Sequence, residues 1–279
     1  MRLAPLMLVL LLLLFLRADS PLFQRRSYAE MAHSGFLSDA DTAKVYKYQQ
    51  QHDSLMRLGV GGGVNVPNAM FGHTAYGLAS GLVGASMAEE YLLFLYAQSH
   101  HACTKGTWTF WEKVLIDRRK SICCFAAPSQ VTLPSALRWG LAFEDEAKGL
   151  LALARTLPRS WFSAQDAFLN VKDAPVSRQL LGSGAVSYSL RRHASAPKML
   201  LISVDLGGGG GTQAKPGPAL KTLTLRLRMP ASLGGTIKAV SSGTGEDWSR
   251  RLKADVLTLV GAAEVPLAAE LTGIKVVFA

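Results

Sequence analysis

The sequence predicts an α+β multidomain chain, a mostly helical first part followed by an antiparallel β-sandwich. Three observations predict it. Apolar residues recur about once per turn through much of residues 39–99, the helical period. After Glu144-Asp145-Glu146 the period changes to two. Strands that alternate in this way have one wet and one buried face, which requires sheets stacked on each other. The expected divisions are residues 1–20, a signal peptide or hydrophobic helix; residues 21–146, a helical domain; and residues 147–279, the sandwich.

The first segment starts Met1-Arg2, runs apolar over residues 3–16 around Pro5, and ends Arg17-Ala18-Asp19-Ser20. A positive start and a short apolar run fit a secretory signal peptide, with secretion or a lumenal location as the consequence. The run is too short for a comfortable membrane span, so no stable span is expected after processing. The alternative is a buried helix of a larger fold.

Ser38-Asp39-Ala40-Asp41 reads as a helix start, with Ser38 as N-cap and acids in the first turn. Over residues 39–52, Val45, Tyr48 and His52 share one face. Gly59-Val60-Gly61-Gly62-Gly63 reads as a flexible loop. It lacks the GxxxxGK[ST] pattern of a phosphate loop, and no cofactor is expected. The longest helical stretch runs over residues 69–99. Gly77, Gly81 and Gly84 lower its helix propensity and permit close approach of another helix. A break at 81–84 divides it in two. Glu89 and Glu90 are read as mid-helix acids, one facing solvent. Residues 104–125 have no clean period and read as a long structured loop. Residues 128–143 return to helix, with Pro134 as a possible start.

In the sandwich, Val186, Tyr188 and Leu190 alternate with polar residues. Leu200, Ile202, Val204 and Leu206 do the same, as do Leu223, Leu225, Leu227 and Met229. Ile237 with Ala239, and Ile274, Val276 and Phe278, mark two more strands. Asp173-Ala174-Pro175 reads as a turn.

With 49% hydrophobic residues in 279, both domains have material for a core, which excludes bulk disorder. The net charge of +10 is scattered, and its densest cluster, Asp117-Arg118-Arg119-Lys120, contains an acid. The charge therefore reads as a solubility feature, with no nucleic-acid partner expected. Neighbouring Cys123 and Cys124 are poorly placed to bridge each other, while Cys103 has the option of pairing with either. No Cys or His spacing suggests a metal. His100 and His101 read as polar residues at a helix end.

A series of segments then carries a resemblance. YQQQHDSL, TAYGLASGLV, EEYLLFLYAQSHHACTKGTWTFWE, IDRR, PSQVTLPSALRWGLAFED and LARTLPRSWF occur in order. They are followed by VKDAPVSR, GAVSYSLR and LKTLTLRLRMP. The series resembles the C-terminal portion of a six-hairpin glycosidase-like protein. That resemblance implies an (α/α)6 toroid holding a carbohydrate site, followed by a β-sandwich. Residues 21–146 supply only part of such a toroid. The chain is then either a fragment of a longer enzyme or a reduced form, and glycoside hydrolysis is expected only if the toroid is completed. The competing function is a non-catalytic carbohydrate-binding or structural module.

Glycoside hydrolysis needs two carboxyl groups about the scissile bond. Residues 105–118 hold Glu112 and Asp117, with Trp108 and Trp111 as platforms for a sugar ring and Arg118 beside Asp117. Glu112 and Asp117 are the candidate catalytic groups. Trp108, Trp111 and Arg118 are candidates for substrate binding. The same aromatics also suit anchoring of the loop, with Asp117 paired to Arg118. His52 is a further binding candidate or a helix-end cap with Asp53. His73 and Tyr76, near a helix start where backbone N–H groups are free, are the remaining binding candidates.

Overall fold

The computed structural model describes residues 24–52, 62–63, 66–72, 75–103, 109–115, 123, 125–164, 166–196, 198–206, 217–228, 237–249, 252–253, 255–260 and 270–278. Residues 1–20, with their signal-peptide reading, lie outside these. The chain divides into two compact units, Met1–Leu137 and Arg138–Ala279, ahead of the boundary expected at 146. Among the described residues, no helix is long and apolar enough to cross a membrane.

The first unit holds α1 (Gln24–His33), α2 (Asp39–His52), α3 (Ala75–Gly84), α4 (Ala88–Ala97) and the start of α5 (Ala127–Leu141). It is not purely helical. Strands β1 (Gly62–Gly63), β2 (Val66–Phe71) and β3 (Lys113–Leu115) form an antiparallel sheet in that order. Residues 69–71, expected in the long helix, belong to β2. Extended backbone there pairs Ala69, Met70 and Phe71 with Leu115, Val114 and Lys113.

The start of α2 follows the sequence. The Asp41 backbone N–H donates to Ser38 Oγ at 3.1 Å, and the Ser38 hydroxyl donates to Asp41 Oδ2 at 2.7 Å. The cap satisfies a donor that the first turn leaves open. The inward face differs from the expected one. Thr42 and Tyr46, four apart, are buried, while Val45 and Tyr48 are half-buried.

The helix break falls just beyond the expected 81–84, between Gly84 and Ala88, and its left-handed residue is Ser86, at φ 59°, not a glycine. It places Glu89 and Glu90 in the first turn of α4, where carboxylates favour the helix dipole, and not in mid-helix. Small residues set the α1–α3 contact. A Cβ at Gly77 would lie 2.3 Å from the Ala29 carbonyl oxygen, and one at Gly81 would lie 2.6 Å from the Ala32 Cβ. Two polar ties flank this contact. His33 Nδ1 is 2.8 Å from Ser80 Oγ, and the Tyr76 hydroxyl donates to Glu30 Oε1 at 2.7 Å. Helix α5 begins at Ala127 and runs through Pro134, which forgoes one intrahelical hydrogen bond.

The second unit stacks two five-stranded sheets. Strands are β4 (Ala142–Asp145), β5 (Leu150–Leu153), β6 (Phe168–Pro175), β7 (Ala185–Arg192), β8 (Met199–Asp205), β9 (Thr222–Arg226), β10 (Ile237–Ser241), β11 (Leu252–Lys253), β12 (Val256–Val260) and β13 (Glu270–Phe278). One sheet has the order β10-β13-β8-β7-β6 and the other β11-β12-β9-β5-β4. A single core joins them, with Leu190 and Ile202 from the first sheet and Leu153 and Leu225 from the second. Val186, Tyr188, Leu200, Val204, Leu206, Leu223, Leu227, Ile274, Val276 and Phe278 are buried as the alternation predicts.

Three details depart from the expected sandwich. Strands β5 and β9 pair in parallel, so the sheets are not wholly antiparallel. An irregularity between Ile237 and Ala239 shifts the alternation, so Val240 faces the core and Ala239 is exposed. Asp173, at φ 48°, sits at a register shift within β6, and the strand continues to Pro175 instead of turning.

Two buried tyrosines give a pH prediction. Burial first, and the Glu90 carboxylate second, push Tyr46 up to about 12. Burial also lifts Tyr188 well above the ordinary tyrosine value. The folded state thus favours the neutral phenol. Its contribution is complete below pH about 10, where the unfolded tyrosine titrates, and is lost as pH rises further. Stability should fall above pH about 10 by roughly 1.4 kcal/mol per pH unit for each such tyrosine. Thermal unfolding between neutral and alkaline pH checks this. Tyr46→Phe should flatten the alkaline slope, and an unchanged slope contradicts the assignment.

Candidate functional site

Residues 109–112 form a strap tied at several points. Phe110 bridges Cys103 in antiparallel fashion. The Trp111 N–H donates to the Ala102 carbonyl at 3.2 Å. The Glu112 N–H donates to the Cys123 carbonyl at 3.0 Å, and the Glu112 carbonyl accepts from the Gly72 N–H at 2.9 Å. Gln130 Nε2 donates to the Phe110 carbonyl at 2.9 Å. The backbone of Glu112 is therefore held on both sides, which fixes where its side chain starts.

Gly72 is required for this closeness. A Cβ there would lie 2.4 Å from the Trp111 carbonyl oxygen and 2.7 Å from Ser129 Oγ. The Thr132 hydroxyl donates to the Gly72 carbonyl at 2.9 Å, so α5 holds the same point from its other side. Beneath the strap lies an apolar cluster of Met70, Ala97, Ala102, Phe110 and Val114. Trp111, Cys103 and Leu133 pack against it, partly buried. Glu112 is also half-buried. Lys113, next in sequence, places its Nζ 5.5 Å from the Phe71 ring centre, within cation–π range.

The structure thus brings Trp111 and Glu112 onto one fixed strap. Tyr76 is directed to α1, through its bond to Glu30 and an edge contact with His33 at 5.2 Å between ring centres. Trp108, Asp117, Arg118 and His73, and the side chain of His52, lie outside the described residues.

Cys103 and Cys123 are thiols, which removes a disulfide between them. Burial pushes the Cys103 thiol up, favouring the neutral form. His100 and His101 are exposed in a π-helical turn, Gln98–Ala102, that extends α4. Among the described residues, no group of three His, Cys, Asp or Glu is placed to hold a metal ion.

Sequence reasoning missed two buried polar groups here. Gln98, on the same π-turn, is 1% exposed, and Ser129 is fully buried. Among the described residues, neither side chain has a hydrogen-bond partner. An amide after the apolar run of α4 is the signal that marks Gln98 in the sequence.

No family model matches the chain. No curated protein matches it either. Among solved structures it is similar to a GH127 beta-L-arabinofuranosidase from Geobacillus stearothermophilus T6. Identity is 11% and the TM-score 0.30, over 74% of this chain and 31% of that one. The chain thus spans less than a third of that protein's length. A likeness of this size assigns neither fold nor activity to this chain.

Proposed function

We propose that the chain is a glycoside-hydrolase-like protein that binds or cleaves a glycan, with Glu112 as its acting carboxylate and Trp111 beside it. The observation that carries this reading is the strap. Two backbone hydrogen bonds fix Glu112, and its half-buried carboxylate adjoins a tryptophan of the kind that covers a sugar ring. The ordered series of segments resembling six-hairpin glycosidases supports the same class. The helices of the first unit then stand for part of an (α/α) toroid, and the sandwich for its terminal domain.

In this reading Glu112 serves as general acid or as the base or nucleophile, with Asp117 as its opposite number. The second reading, a non-catalytic carbohydrate-binding module, draws on one observation. Trp111 packs partly against the apolar cluster and so anchors the strap as well. Both readings share a test. Glu112→Gln should abolish hydrolysis of any glycan the chain cleaves, or weaken by about tenfold its affinity for one it only binds. Trp111→Ala should weaken binding in either case. If both variants keep wild-type affinity and turnover for every glycan the chain recognises, the strap is not the site.

A further inference from the structure

We propose that the β6–β7 edge of the second unit carries a surface of its own that holds a neutral oligosaccharide. A cleft of about 760 Å³ opens there, lined by Asp166, Phe168, Arg191, Arg192 and Ala194. Its volume falls within the range of small-ligand sites, about 300–1,000 Å³.

Phe168 is the first residue of the edge strand β6, and it is 71% exposed. The ring is therefore open to a ligand in the cleft. Directly across the ladder stands Arg191, also exposed. Side chains opposite each other start about 5 Å apart, so the two residues rise from the same point of the face. Arg192 points to the other face and is 7% exposed, with Nη1 donating to the Ser163 carbonyl at 3.0 Å. Its backbone N–H donates to the Ala167 carbonyl at 3.2 Å. These two bonds pin the segment that bears Asp166 against β7, so the walls of the cleft are fixed.

The residue types suit a sugar. A pyranose or furanose ring has an apolar C–H face, which a phenyl ring covers, and hydroxyls that both donate and accept. Arg191 donates to such hydroxyls and Asp166 accepts from them. The surface extends beyond the cleft. Register places Phe168, Arg191, Leu201 and Lys275 in one row across four strands, about 14 Å from end to end. The next row on that face is Asn170, Ser189 and Ser203, an amide and two hydroxyls. Such a row accommodates a short chain of sugars. Asp166 lines the same cleft as Arg191, so the surface offers an acceptor as well as donors, which a run of cations alone does not.

This inference takes its ligand class from the glycan reading above, but it concerns different residues, and its test separates the two. Isothermal titration of the full chain with xylo-, cello-, malto- and manno-hexaose should find at least one ligand whose affinity changes little with salt. Phe168→Ala and Arg191→Gln, both on the exposed face, should each weaken it by about tenfold or more, while Lys47→Ala, exposed on α2 and outside both surfaces, leaves it unchanged. The proposal is overturned if none of these sugars binds, or if both face variants bind within about twofold of wild type. Loss of affinity in Glu112→Gln alone overturns it and leaves the strap reading standing. Steeply salt-dependent binding of oligouronate or single-stranded DNA to this face overturns it, as does self-association that Phe168→Ala abolishes.

Discussion

Gly77→Val is expected to undock α1 from α3 and to destabilise the first unit by about 3 kcal/mol or more. Opposing effects decide the sign. Replacing a helical glycine recovers up to about 1 kcal/mol of helix propensity, less for a β-branched residue. Against it stands a Cβ that meets the Ala29 carbonyl oxygen at 2.3 Å and the Ala29 Cβ at 2.9 Å. The nearest atom is backbone, so no side-chain rotation relieves it. Overpacking costs about 1–3 kcal/mol, and parting the helices strains the His33–Ser80 and Tyr76–Glu30 hydrogen bonds as well. The steric cost exceeds the propensity gain. Urea denaturation followed at 222 nm checks this, and a variant as stable as wild type contradicts the α1–α3 contact.

Leu190→Ala should destabilise the sandwich by about 2–5 kcal/mol. Leu190 is fully buried in the centre of β7, with Leu169 and Ile202 as its cross-strand neighbours. Truncation removes buried methyl groups and leaves a cavity between sheets that share one core. Phe168→Ala, in the same hairpin but on the outer face, should change stability by no more than about 0.5 kcal/mol. The contrast tests the alternation itself. Equal effects of the two substitutions on the denaturation midpoint would mean that the register of β6 and β7 is wrong.

The parts legible in the sequence are those governed by local chemistry. Ser38 announced its helix because a cap needs only neighbouring residues. Gly77 and Gly81 announced a close helix contact because no other residue leaves that space. Strands β7, β8 and β9 announced themselves because each has one wet and one dry face. The parts that stayed hidden depend on distant partners. Leu150–Leu153 is a short apolar run, which periodicity cannot distinguish from helix, and its parallel pairing with β9 joins segments far apart. Strand β6 lies at a sheet edge with mostly exposed residues and ends in a sequence that reads as a turn. The inward face of α2 was misplaced because Tyr46 and Tyr48 are equally apolar by type, and packing alone selects Tyr46.

The candidate site divides along the same line. Trp111 and Glu112 stood out because an aromatic beside a carboxylate is visible as a residue pair. The clamp that fixes them was not, because it comes from Gly72, Ala102 and Cys123, drawn from separate segments. Phe168 and Arg191 are 23 positions apart in the chain and become neighbours only through the β6–β7 ladder.

The central claim is that this protein handles glycans. Its most direct test is a glycan array probed with the wild-type chain. The account predicts saturable binding to at least one oligosaccharide, confirmed in solution by titration. Absence of binding to every neutral and acidic glycan on the array, by a chain shown to be folded, would contradict it.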